Sequence, residues 1–154
     1  EWFQWIAKHH EAGTLEGILG ELGSTILSVM KIIGFENSSV INSDWIRAYS
    51  SPFPDRASCK GGIEFPLDIH LQRAFEYIIE GLETGNIDVL KTKPAMLAVG
   101  LKDHAIRPEN QIADFKGLFP DAPINTFEQA GHFCQEDIPE ILAPLIHQFI
   151  QANP

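Results

Sequence analysis

Residues 94–108 read PAMLAVGLKDHAIRP. Ala95 to Gly100 is a short, continuous apolar run introduced by Pro94 and closed by Gly100. A strand buried on both faces of a sheet has this length and texture. Downstream, Pro108 to Leu118 has helical spacing, Phe119-Pro120-Asp121 reads as a turn, and Ile124 to Phe127 reads as a second short strand. A final helix is expected from Ile138 to about Gln151, kinked at Pro144. Strand, helix, strand, helix with short links is the signature of a parallel sheet.

Upstream the texture is helical. Trp2, Trp5 and Ile6 share a face, and Leu15, Ile18, Leu19, Leu22, Ile26, Leu27, Met30 and Ile33 recur at helical spacing. Gly13, Gly17, Gly20 and Gly23 each cost about 1 kcal/mol of helix propensity, so two short helices are favoured over one long one. Gly34 to Ser43 reads as a loop, with Ser43 or Asp44 capping a helix that carries Trp45 and Tyr49. Residues 51–69 contain Pro52, Pro54, Gly61, Gly62 and Pro66, which argue against regular structure there. A helix is then expected from Ile69 to Glu83, with Leu71, Phe75 and Ile78 on one face and Gly81 and Gly85 bracketing its end.

The chain has 154 residues, enough for one domain that buries roughly 70% of its unfolded surface. With 44% apolar residues, a packed core is expected rather than disorder. A net charge of −10 argues against nucleic acid, whose phosphates call for a basic face. No apolar run approaches the ~20 residues of a membrane span, and no signal segment opens the chain. Cys59 and Cys134 make neither a disulfide framework nor a zinc spacing, and they fit a cytoplasmic location. No cofactor or metal is expected. The chain opens at Glu1 rather than Met, which leaves room for an upstream segment.

Two residues carry the candidate chemistry. Asp103 lies three residues past the first strand, and His132 follows the second, in FEQAGHFCQED (127–137). Functional groups collect beyond the carboxyl ends of parallel strands, and adjacent strands bring those ends together. A carboxylate beside an imidazole fixes its tautomer and stabilises the imidazolium, as in a general-base pair. On spacing alone, the alternative that His132 satisfies a loop and Asp103 caps a turn stands beside this one. Cys134 invites a Cys–His reading, but Glu136 and Asp137 oppose a thiolate, so a structural cysteine is favoured. His9-His10-Glu11 looks like metal chemistry, yet adjacent helical residues point apart and no third ligand is in sight. His104 reads as an exposed loop residue, and His70 and His147 carry no signal.

Four blocks carry a resemblance: DWIRAYSSPFPD (44–55), GIEFPLDI (62–69), PAMLAVGLKDHAIRP (94–108) and AGHFCQEDIPE (130–140). In this order and spacing they resemble the carboxyl-terminal half of the haloalkane dehalogenases of the α/β-hydrolase superfamily. The resemblance implies a partial α/β-hydrolase fold. Residues 1–90 would be a helical cap-like segment and 91–154 the β-α-β-α part with a short parallel sheet, both in one compact unit. It also implies that His132 is the catalytic histidine, that Asp103 is the acid in the place some members use, and that a small apolar or halogenated ligand is the natural partner. Cap tryptophans donate to a halide in some relatives, but core packing is the favoured role for Trp2, Trp5 and Trp45.

The departure is the nucleophile. The superfamily carries it on a G-x-S-x-G or G-x-D-x-G elbow, and no glycine in these 154 residues opens one. The expectation is a dehalogenase-like fragment that is not catalytic alone. The alternatives are half of a hydrolase completed by another chain or an upstream segment, and a non-catalytic interaction module. The resemblance also implies a sheet in which strand 95–100 lies between the final strand and a sixth one; with no such strand in these residues it would keep an open edge, with Met96, Leu97 and Val99 partly uncovered. A homo-oligomer paired through that strand is therefore expected.

Overall fold

The computed structural model describes residues 2–19, 33, 36–85 and 87–154. The apolar positions expected at 22, 26, 27 and 30 lie outside the described residues. The chain divides into two compact units, one of residues 1–34 and 38–85, the other of 35–37 and 86–154. Most regular elements are helices, and the described strands form one two-stranded parallel sheet.

In the first unit, helix α1 (Trp2–Glu11) and the short α2 (Leu15–Leu19) are separate, as the glycines of this stretch lead one to expect. Gly13 makes the break at φ +67, where a side chain would be strained. Ile6, Leu15, Leu19 and Leu67 form the core, with Trp2, Trp5 and Ile63 packed against it. Burying each of the four stabilises by about 1.5–3 kcal/mol. Helix α3 (Ser43–Ser50) is capped by Asn42, whose Oδ1 accepts from the Asp44 and Trp45 N–H groups at 2.9 Å. The expected cap, Ser43 or Asp44, is thus corrected by one or two residues.

The larger correction concerns Lys60–Leu71, which is helix α4 in spite of Gly61, Gly62 and Pro66. The two glycines fall in the first turn, where backbone N–H groups lack intrahelical partners in any helix. Asp55 accepts from the Ser58 N–H and hydroxyl just ahead of it, ordering the entry. Pro66 and Leu67 are buried, and that burial outweighs the lost proline hydrogen bond. The expected helix 69–83 is also divided. Gln72 ends α4 at φ 56, and α5 (Phe75–Thr84) begins afresh. Leu71, Phe75 and Ile78 therefore do not share one helix face, and all three are exposed.

In the second unit a short helix, α6 (Ile87–Lys91), precedes strand β1 (Leu97–Gly100). Helix α7 (Pro108–Leu118) crosses over to strand β2 (Ile124–Phe127) and packs on β1. The strands run parallel in the register Leu97–Ile124, Ala98–Asn125, Val99–Thr126 and Gly100–Phe127. The one-turn α8 (Cys134–Asp137) and the terminal α9 (Pro139–Ala152) follow. Val99, Ala130 and Ile138 are buried, so Val99 is not the uncovered residue expected at the strand edge. Among the described residues no helix is long and apolar enough to cross a membrane.

Candidate functional site

The parallel register ends both strands at the same level, Gly100 opposite Phe127. The two following loops therefore start side by side. They are stitched together by the Leu101 N–H to the Phe127 carbonyl (2.9 Å) and the Lys102 N–H to the Ala130 carbonyl (3.0 Å). Gly100 makes that approach possible, since a Cβ there would overlap the carbonyl oxygens of Ala130 and Gly131. One loop carries Asp103 and the other carries His132.

The two side chains meet, with His132 Nδ1 2.9 Å from Asp103 Oδ2. The carboxylate is held by three further donors. Its Oδ1 accepts from the Ala105 and Ile106 N–H groups at 2.8 and 2.9 Å, and its Oδ2 accepts from Gln111 Nε2 at 2.9 Å. The second Gln111 amide hydrogen goes to the Ile106 carbonyl, so the amide is fixed too. An ionised carboxylate only accepts. Nδ1 must therefore carry the proton, and Nε2 of the neutral ring keeps its lone pair. The Asp103 side chain is only 5% exposed, against 32% for His132. The acid is thus interior while the imidazole reaches outward, with Phe133 edge-on at 5.1 Å. Burial alone would raise the Asp103 pKa, but the hydrogen bonds from His132, Ile106 and Ala105 and the attraction to the imidazolium outweigh it. The carboxyl lies below its ordinary value.

A second carboxylate sits behind the histidine loop. Asp137 is 6% exposed, with Oδ2 accepting from the Gly131 N–H at 2.7 Å and Oδ1 from the Asn37 N–H at 2.8 Å. Sequence reasoning misses both Gln111 and Asp137 as site residues. In the sequence Asp137 registers only as acidity beside Cys134, and Gln111 carries no motif at all. The one available cue is that Gln111 lies one turn into the helix following the Asp103 loop.

The other candidates separate from this pair. Cys134 donates its thiol to the Gly131 carbonyl at 3.2 Å. Its pKa is pushed up, first by burial and then by the Asp137 and Asp103 carboxylates, so the thiol stays protonated. His9 Nδ1 lies 2.9 Å from the Thr14 hydroxyl, with its ring 4.3 Å from that of Trp5. Among the described residues no group of three His, Cys, Asp or Glu side chains is arranged to hold a metal. Trp2 stacks on Trp5 at 5.5 Å, and Trp45 meets Tyr49 at 4.6 Å. His104 is exposed.

Comparison with known proteins gives two kinds of relative. Over 102 residues, 66% of the chain, it is 34% identical to haloalkane dehalogenase 2 of Mycobacterium tuberculosis, and equally so to that of Mycobacterium bovis. Over 109 residues, 70% of the chain, it is 29% identical to the cis-3-alkyl-4-alkyloxetan-2-one decarboxylase of Xanthomonas campestris pv. campestris. The chain spans about a third of the length of these relatives, 35% and 36% respectively. No family model and no solved structure matches it.

Proposed function

We propose that the chain is an α/β-hydrolase relative of haloalkane-dehalogenase type in which Asp103 and His132 are the acid and the general base of a hydrolytic site. The observation that carries this is the 2.9 Å contact between Nδ1 and a carboxylate held by three other donors. In this reading Asp103 fixes the tautomer and stabilises the imidazolium. His132 Nε2 takes a proton from water, and that water attacks an ester formed on a carboxylate nucleophile. The substrate class is a small apolar or halogenated molecule, with residues 1–90 read as a helical cap-like segment and 91–154 as the carboxyl-terminal β-α-β-α part of the hydrolase fold.

No G-x-S-x-G or G-x-D-x-G elbow occurs within these 154 residues. The pair supplies the water-activating half of the chemistry, and the nucleophile has to come from elsewhere. The 154 residues alone therefore turn over no haloalkane. Incubation of the purified chain with 1-haloalkanes is expected to release halide no faster than buffer. Turnover that vanishes in His132→Ala would support His132 as the base but overturn the expectation that the chain alone is inactive, because it would require a nucleophile inside this sequence.

A further inference from the structure

We propose that Glu36 and Asn37 are a clasp that holds the Asp103 and His132 loops in register, with Asp137 as its anchor and positioning residue. The inference rests on the reading of Asp103 and His132 as a functional pair. Each loop is tied at the residue next to its functional side chain. On the acid side, Lys102 Nζ reaches Glu36 Oε2 at 2.9 Å. On the histidine side, the Asp137 carboxylate accepts from the Gly131 N–H with one oxygen and from the Asn37 N–H with the other. Two consecutive residues, 66 positions before Lys102 and 100 before Asp137, thus reach both loops.

The packing agrees. A Cβ built on Gly131 would meet the Lys102 carbonyl, Asp137 Oδ2 and Glu36 Cγ, at 3.5, 3.6 and 3.8 Å. Lys102, Asp137 and Glu36 therefore all converge on the backbone just before His132. The two ties differ in kind. Asp137 is buried, and its charge is met by backbone N–H groups in a low-dielectric setting, where such bonds are strong. The Lys102–Glu36 pair is half exposed and contributes far less by itself. Both Asp137 oxygens bond to backbone N–H groups, so its effect on His132 passes through the Gly131 peptide.

The test uses a signal that only a well-held pair gives: the exchange-protected His132 Nδ1–H proton in the NMR spectrum of the whole chain. Wild type is expected to show it. In Asp137→Asn the side chain keeps one acceptor for two N–H groups, and the Nδ1–H signal is expected to be lost while the amide signals of the two strands persist. If Asp137→Asn does not fold, Glu36→Gln decides, with exchange of that proton expected to be about twofold faster. A folded Asp137→Asn that retains the signal at wild-type exchange overturns the clasp, as does Glu36→Gln with unchanged exchange. A wild type without the signal overturns the Asp103–His132 pair itself, and the clasp with it.

Discussion

Four hydrogen bonds converge on the Asp103 carboxylate, and only one comes from His132. The backbone and Gln111 donors hold the carboxylate in one place, so it is not half of a mobile ion pair. They also set a pH dependence whose sign follows from the direction of its pKa. The folded-state value lies below the ordinary one, so the carboxylate stabilises the fold at pH above the unfolded value. That contribution fades as pH falls through the folded value. Urea midpoints between about pH 6 and about pH 3 should therefore fall more steeply in wild type than in Asp103→Asn. Parallel slopes would mean that Asp103 gains nothing on folding.

At the level of elements, the closeness of two loops depends on one missing side chain. Gly100→Ala places a methyl group against the Ala130 and Gly131 carbonyls, and backbone on both sides leaves little room to yield. A loss of about 1–3 kcal/mol in urea unfolding is expected. An alanine variant as stable as wild type would show that the loop moves freely. The elements around this crossing were legible in the sequence because their cues are local. The apolar run closed by Gly100, Pro108 at a helix start and the turn at Phe119-Pro120-Asp121 each act over a few residues. Helix α4 was not legible, because Gly61, Gly62 and Pro66 are local breakers and the burial of Leu67 against Ile6, Leu15 and Leu19 is not local. The site divides in the same way. Adjacent strand ends bring Asp103 and His132 to notice, whereas Asp137 bonds to a residue 100 positions away, a relation no spacing rule contains.

For the molecule as a whole, the sheet poses the first question. Among the described residues β1 pairs only with β2, and two strands alone make a marginal sheet. We propose that two copies pair along β1 within the expected segment 95–100, and sedimentation equilibrium should then give a dimer; a chain that stays monomeric at high micromolar concentration would end that proposal. Val99 at 2% exposed is too buried to serve as an edge probe, so the wild-type concentration dependence carries the test. The central claim is that a water-activating acid–histidine pair stands assembled within a chain whose matched part covers about a third of its relatives' length. Its most direct test is the tautomer of the neutral His132 ring, read from long-range proton–nitrogen correlations at alkaline pH. The account predicts the proton on Nδ1 and a bare Nε2 in wild type, with that preference lost in Asp103→Ala. A neutral wild-type ring with its proton on Nε2 would contradict it, since no lone pair would then be available to take a proton from water.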